Sequence, residues 1–294
     1  MQANEPIWSN LTPEEHEFQY NPQRAFPDFE TARLTRQPAN DAARADLEVS
    51  ADIAYGDHPL RKLDIYPAAP SGTPAPVHIF LHGGYWRAQD KANYAFTAGI
   101  LVPRGITTVI VNYELCPDST LDGVVDSAIA ATRWIFANIQ DYGSDPNHIT
   151  LSGHSAGAHL GAAIMAHDWP AADRDRLRGA VLTSGIYDPA PAMGTSVNQQ
   201  LNLSRELALR HNVEARPAVL KPDLAIVVGG REPWQWVDQS FRYYRNRRMQ
   251  EMEPALHVLP GRNHFDILDE YLDADSITVR TILQHCARNE ETNR

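Results

Sequence analysis

The chain has 294 residues, of which 43% are hydrophobic and 21% charged, and these values are ordinary for one globular domain with a sizeable core. The formal net charge of −11 argues against nucleic acid and against an anionic membrane surface as partners, because both require a basic face. Two cysteines, Cys116 and Cys286, are too few for a disulfide scaffold, and no apolar run approaches the ~18 residues of a membrane helix. These features predict a soluble, cytoplasmic protein that uses no membrane.

The first 50 residues are polar and contain several prolines, and their aromatic residues follow no strand period. The aromatics of this segment are Trp8, Phe18, Tyr20, Phe26 and Phe29. Because so many aromatic side chains are costly to leave in water, we expect the segment to form an N-terminal arm or cap over a pocket mouth. Two short alternating runs follow, near residues 53–55 and 62–66, and the turn residues between them predict an antiparallel hairpin.

After the hairpin, buried strands alternate with helices. The predicted strands cover residues 77–81, 107–112, 149–152, 180–183, 224–228 and 256–259. Apolar spacing predicts a helix from Val124 to Ile139 and a second helix that begins near Asp275 and Ser276. Continuous apolar strands separated by helices indicate a mostly parallel sheet with helices on both faces, in a single α/β domain.

The predicted domain spans residues 1–294, with an arm at 1–50, a core at 51–287 and a frayed tail at 288–294. Residues 186–220, which are rich in proline, asparagine and glutamine, are expected to cross over the strand ends and to shape a pocket.

The first chemical motif, His-Gly-Gly-Tyr-Trp at residues 82–86, follows the strand that ends at Leu81 and resembles the oxyanion loop of esterases and lipases. Residues without side chains let backbone N–H groups approach a negative oxygen, so Gly83 and Gly84 are candidate donors. A plain turn is the structural alternative. Tyr85 and Trp86 are candidate substrate contacts, although packing of the loop explains them equally well.

The second motif, Gly-His-Ser-Ala-Gly at residues 153–157, lies between an apolar strand and a helix pattern of small residues. This is the setting of a nucleophile elbow, which predicts Ser155 as nucleophile and the N–H of Ala156 as a further oxyanion donor. The neighbouring His154 and His159 are expected to serve packing and hydrogen bonding.

A serine hydroxyl needs a base to accept its proton and an acid to orient that base. His264, in the loop at residues 260–266 after the last strand, is the predicted base. Glu232, in the loop after the strand 224–228, is the predicted acid, with Asp188 as its main competitor. Asp266 is too near His264 in sequence for this role. Trp234 follows the acid and is a candidate pocket wall.

Together these motifs resemble the kynurenine formamidase-like, hormone-sensitive-lipase-related group of α/β-hydrolases. Further segments carry the likeness: Tyr-Asn-Pro at 20–22, Pro-Asp-Phe at 27–29, Leu-Asp-Ile-Tyr at 63–66 and Asn-His-Phe-Asp at 263–266. The resemblance implies a cofactor-free serine hydrolase with Ser155, Glu232 and His264 as triad, acting on small carboxyl esters or on N-formyl amides of aromatic amines. Glu114 departs from the pattern, since many relatives carry a basic residue there; it is either a partner within the fold or a repulsive charge toward anionic substrates.

The choice between ester and formamide is open at this point, because both reactions use the same residues. A non-catalytic small-molecule-binding protein on the same fold is the alternative from another class. No metal-binding spacing is present, so neither a metal nor a cofactor is expected, and the sequence leaves homodimerisation open.

Overall fold

The computed structural model describes residues 10–287, and a single eight-stranded sheet forms its centre. The strands are β1 (Ser50–Ala54), β2 (Lys62–Tyr66), β3 (Ala75–Leu81), β4 (Thr107–Val111), β5 (Ser144–His154), β6 (Leu177–Thr183), β7 (Asp223–Gly229) and β8 (Ala255–Leu259). Their order in the sheet is β1-β2-β4-β3-β5-β6-β7-β8.

The sheet is antiparallel at one edge and parallel elsewhere. Strand β2 pairs antiparallel with both β1 and β4, while every pair from β4 through β3 to β8 is parallel. The opening hairpin and the mostly parallel sheet are therefore both confirmed. The central strands are apolar throughout because both faces of a parallel sheet are covered.

Ten helices accompany the strands in the described part of the chain. They are α1 (Pro13–Tyr20), α2 (Pro22–Ala25), α3 (Phe29–Asp46), α4 (Phe96–Leu101), α5 (Leu121–Asn138), α6 (Ala156–Ala166), α7 (Asn198–Leu201), α8 (Arg205–Arg210), α9 (Trp234–Met249) and α10 (Ile277–Cys286). The predicted helices are present as α5 and α10, and Ser276 caps α10 by accepting a hydrogen bond from the N–H of Val279.

Two hydrophobic clusters fill the two sides of the sheet. On β4, Val109 and Val111 belong to one cluster and Ile110 to the other, as the alternation of side chains along a strand requires. The first cluster includes residues of α5, α6 and α9, and the second includes residues of α3, α4 and α10. Helices therefore cover both faces of the sheet, and the ends of the parallel strands remain free to build a site.

The N-terminal segment contains more helix than its sequence indicates. Residues 13–46 form α1, α2 and α3, and α3 runs through Pro38 in its interior. Leu34 of α3 is exposed while Arg36 and Asn40 are buried, so the buried face of this helix is partly polar. Trp8 and the predicted tail at 288–294 lie outside the described residues.

Candidate active site

Ser155 lies in the sharp turn between β5 and α6, with φ of 57° and ψ of −117°. This backbone conformation is rare for a residue with a side chain and persists only where the surroundings impose it. Here the Ser155 N–H donates to the Thr183 carbonyl oxygen at 2.8 Å. A β-carbon on Gly153 would overlap the Gly157 carbonyl, and one on Gly157 would overlap the Leu81 carbonyl. The two glycines thus allow the turn that lifts the serine off the sheet.

Three side chains from distant loops meet at this turn. The His264 Nε2 atom lies 3.0 Å from the Ser155 hydroxyl oxygen, and the His264 Nδ1 atom lies 2.7 Å from Glu232 Oε2. All three residues are buried. The arrangement can draw a proton from the hydroxyl onto the imidazole while the carboxylate stabilises the resulting charge.

The Glu232 carboxylate is fixed by donors on its second oxygen. Its Oε1 atom accepts hydrogen bonds from the Ser184 hydroxyl and from the Gly229 N–H at 2.7 Å, which leaves Oε2 for His264. The indole of Trp236 donates to the Ser184 carbonyl oxygen at 2.9 Å and packs edge-on against the His264 ring. Sequence reasoning did not identify Ser184 or Trp236 as supports of the acid and the imidazole.

The competing carboxylates are engaged elsewhere. Asp188 Oδ1 accepts a hydrogen bond from the Ala190 N–H at 3.0 Å, so it closes a local turn. Asp266 accepts from the N–H of Asn263 at 2.6 Å and from its side-chain amide at 2.7 Å. Asp266 therefore shapes the loop that carries His264 and does not contact the imidazole.

The loop at residues 82–86 lies beside the serine. A β-carbon on Gly83 would stand 3.2 Å from the Ser155 β-carbon, and Gly84 has φ of +110° with no room for a side chain against the Ala88 carbonyl. Within residues 10–287, the N–H groups of Gly83, Gly84 and Ala156 have no hydrogen-bond acceptor. These three N–H groups, which the sequence predicts as oxyanion donors, are therefore not engaged elsewhere in the described part of the chain.

His82 holds this loop in place. Its Nδ1 atom donates to the Gly83 carbonyl oxygen at 2.7 Å, and its ring stacks on Tyr113, whose hydroxyl donates to the His82 carbonyl oxygen. Burial lowers the pKa of His82 to about 4, so the ring is neutral at pH 7.

The aromatic candidates for substrate contact separate into three cases. Tyr85 lines the cavity above Ser155, and its hydroxyl donates to the Tyr20 carbonyl oxygen of α1 at 2.8 Å. Trp86 is fully buried and donates to His159 Nδ1 at 3.2 Å, so it packs the loop. The prediction that Trp234 lines the pocket is wrong, because this side chain is 62% exposed at the start of α9 and contacts Phe241.

The histidines that flank the serine are structural, as expected. Burial, and next the nearby His264 ring, hold the pKa of His154 well below its usual range, and His154 Nε2 donates to the His264 carbonyl oxygen at 2.7 Å. His159 Nε2 donates to the His211 carbonyl oxygen at 2.8 Å, and burial lowers the pKa of His159 to about 3. Neither ring places a positive charge beside His264.

An open cavity leads to Ser155. Its wall combines the loop at 82–89 and the His264 loop with the N-terminal segment, and several of its members were not predicted from the sequence. The N-terminal contributors are Asn21, Pro22, Gln23, Phe29, Glu30, Arg33 and Arg36. Two sequence signals concerned this wall: the aromatic content of the N-terminal segment, which includes Phe29, and the position of Arg87 immediately after the motif at 82–86.

Glu114 is a partner within the fold. It lies outside the cavity wall and pairs with the Arg61 guanidinium at 2.7 Å and with the Ser119 hydroxyl at 2.6 Å. Among residues 10–287, no group of three or more His, Cys, Asp or Glu side chains is arranged to hold a metal ion. In the same range, no helix has both the length and the apolar character needed to cross a bilayer.

The parallel sheet, the elbow between β5 and α6 and the Ser155–His264–Glu232 constellation define an α/β-hydrolase. Residues 63–173 match the family model described as BD-FAE. A kynurenine formamidase of Danio rerio is 30% identical over 289 residues, which cover 94% of this chain and 97% of that protein. The chain therefore belongs to the kynurenine formamidase family.

Solved structures agree with this assignment at the level of the fold. A candidate thioesterase from Silicibacter sp. TM1040 matches with a TM-score of 0.79 at 24% identity, covering 91% of this chain and 98% of that one. An esterase of the archaeon Pyrobaculum calidifontis matches with a TM-score of 0.70 at 19% identity, covering 88% and 93%. At these identities the matches establish the α/β-hydrolase fold and nothing finer.

Proposed function

We propose that this protein is a serine hydrolase that cleaves small carboxyl esters or N-formyl aryl amides through an acyl-enzyme intermediate. The observation that carries the proposal is the continuous hydrogen-bonded chain from the Ser155 hydroxyl through His264 to Glu232, mounted on the elbow. A non-catalytic binding protein would have no use for an imidazole held at hydrogen-bond distance from a strained serine.

In the first half of the reaction, the Ser155 oxygen attacks the carbonyl carbon while His264 Nε2 takes the hydroxyl proton. Glu232 holds the imidazole with Nε2 toward the serine and stabilises the imidazolium. The negative oxygen of the tetrahedral intermediate accepts hydrogen bonds from the N–H groups of Gly83, Gly84 and Ala156. The imidazolium then gives its proton to the leaving alcohol or amine, and the acyl group stays on Ser155.

In the second half, a water molecule attacks the acyl-enzyme and His264 accepts its proton. Collapse of the second tetrahedral intermediate releases the carboxylic acid and returns the proton to Ser155. For a formamide the acid is formate, and for an ester it is the corresponding carboxylic acid.

The relatives support the proposed substrate class. A relative that covers almost the whole chain is named kynurenine formamidase, which supports formamide cleavage. Ester cleavage is included because the steps above apply to both classes of carbonyl compound, with an alcohol in place of the amine as leaving group.

Steady-state kinetics on N-formylkynurenine and on short-chain aryl esters test the proposal. We expect turnover of at least one class, and Ser155→Ala should lower kcat by about a thousandfold or more. Ser71→Ala, in an exposed loop, is the matched control and should retain wild-type rates. A background rate on the formamide with rapid ester cleavage would restrict the function to carboxylesterase, and turnover of both classes by Ser155→Ala would refute the nucleophile.

A further inference from the structure

Three arginines line the cavity that leads to Ser155, and two of them are neutralised by carboxylates. Arg36 pairs with Asp269 at 2.7 Å, and Arg33 pairs with Glu30 at 2.8 Å. Arg87 has no carboxylate within ion-pair distance in the described part of the chain, residues 10–287. Its positive charge is therefore not compensated by the protein at short range.

Arg87 is held by neutral groups. Its Nη1 donates to Gln200 Oε1 at 2.5 Å and its Nη2 donates to Gln23 Oε1 at 3.0 Å. Its Nε–H is shielded from water and finds no acceptor among residues 10–287. Amide oxygens orient a guanidinium without cancelling its charge, and a partly desolvated cation without an anion is costly.

The other titratable groups of the wall do not offset this charge. Glu30 is the carboxylate that lines the cavity, and it is engaged by Arg33. His154 is neutral because burial, and next His264, hold its pKa well below the usual range. In a protein whose formal net charge is −11, the cavity thus presents an unpaired cation. A ligand that supplies an anion would compensate this positive charge.

We propose that Arg87 is the specificity-determining residue of this cavity, because it binds a carboxylate of the substrate that lies remote from the reacting carbonyl. The inference rests on the proposed function, since it concerns a molecule bound in the same cavity as Ser155. A guanidinium matches a carboxylate in shape and can donate two parallel hydrogen bonds, with Gln23 and Gln200 giving way or remaining as flanking contacts. In a formamide the acyl group is only a formyl, so the carboxylate belongs to the amine that leaves.

The kinetic test compares two series of phenyl acetates whose ring carries a short aliphatic chain that ends in a carboxylate or in a primary carboxamide. For the chain length that fits, we expect kcat/KM of the carboxylate to exceed that of the carboxamide by about tenfold to a hundredfold, since hydrogen bonds between charged groups are the stronger ones. Arg87→Gln should bring the ratio close to one, and Arg87→Lys should leave an intermediate ratio because it keeps the charge and loses the fork. Arg178→Gln, which removes an exposed arginine outside the cavity, is the matched control and should keep the wild-type ratio.

A binding measurement separates this inference from the proposed function. Titration calorimetry of the same pairs with Ser155→Ala reports affinity without turnover, and the carboxylate should bind more tightly, with a preference that weakens at high salt. Anion preference in binding, with no turnover of these esters or of N-formylkynurenine by the wild type, would refute the hydrolase and retain the anion site. If the carboxylate and the carboxamide were turned over at equal rates and bound with equal affinities at every chain length, the anion site would be refuted and the hydrolase retained. If Arg87→Gln lowered kcat/KM equally for the carboxylate and the carboxamide, the anion site would likewise be refuted, because Arg87 would then only support the loop.

Discussion

The positions of Ser155, Glu232 and His264 were predicted from short motifs and from their order along the chain, and the structure brings these three side chains together. The groups that hold them were not predicted. Ser184 reaches Glu232 across 48 residues of sequence, and Trp236 packs on His264 through tertiary contact. The sequence around Ser184 and Trp236 does not indicate these contacts, because any serine or tryptophan near a strand end has the same appearance in sequence.

Glu232→Gln should lower kcat by about a thousandfold to ten-thousandfold while the protein stays folded. Two donors, Ser184 and Gly229, face Oε1, so the amide oxygen of the glutamine takes that place and its NH₂ faces His264 Nδ1. The imidazole is then forced into the tautomer with its proton on Nε2, which cannot accept the proton of Ser155.

The matched control is Asp188→Asn, which should retain most of the activity because Asp188 serves a local turn. Steady-state rates and circular dichroism of both variants check this. Equal activity of Glu232→Gln and wild type would remove Glu232 from the mechanism.

At the level of elements, the hairpin, the parallel strands, α5 and α10 all follow from apolar periodicity. Helix α3 was not predicted, because its sequence contains Pro38 and because Leu34 is exposed while Arg36 is buried. Arg36 is buried only because Asp269 and the Phe265 carbonyl receive its guanidinium. The N-terminal segment was expected to cover a pocket mouth, but which residues of α3 form the cavity wall could not be predicted from the sequence.

Gly157→Ala tests the packing of the elbow between β5 and α6. The added methyl group would overlap the Leu81 carbonyl, so we expect a loss of about 1–3 kcal/mol or more of unfolding free energy and a displaced Ser155. Gly99→Ala is the matched control, because its β-carbon would meet only the Ala43 side chain at 3.3 Å and alanine favours the helix α4. Thermal unfolding of both variants measures the difference. Equal melting temperatures would show that the elbow tolerates a side chain and that the glycines have another role.

On the scale of the whole molecule, helices cover both faces of the sheet, and His78, His82, His154 and His159 are buried and neutral. Burial lowers the pKa of His78 to about 3, that of His82 to about 4 and that of His159 to about 3. His78 makes hydrogen bonds to Thr150 at 2.8 Å and to Ser152 at 2.7 Å across neighbouring strands. Hydropathy patterns treat such a residue as polar, so its burial in the core could not be predicted from the sequence.

These histidines make stability depend on pH. Between the pKa values of these histidines in the folded protein and their value near 6.5 in the unfolded chain, the unfolded chain binds more protons. Their contribution to stability is therefore complete above pH 6.5 and is lost as the pH falls toward 4. Where a histidine is protonated in the unfolded chain and neutral in the folded protein, it contributes a slope of about 1.4 kcal/mol of unfolding free energy per pH unit. The urea concentration at the midpoint of unfolding should therefore decrease from pH 7 to pH 6 and to pH 5. In His78→Gln this decrease should be smaller. A midpoint that does not change from pH 7 to pH 5 would contradict the neutral burial of these rings.

Reaction with a fluorophosphonate followed by mass mapping tests whether Ser155 is an activated nucleophile. We predict one covalent adduct on the peptide that contains Ser155, and a loss of labelling in folded His264→Ala. The neighbouring Ser152, whose oxygen accepts a hydrogen bond from the Tyr271 hydroxyl at 2.6 Å, should stay unmodified. A folded wild-type protein that forms no adduct, or that is modified at another residue, would show that Ser155 is not an activated nucleophile.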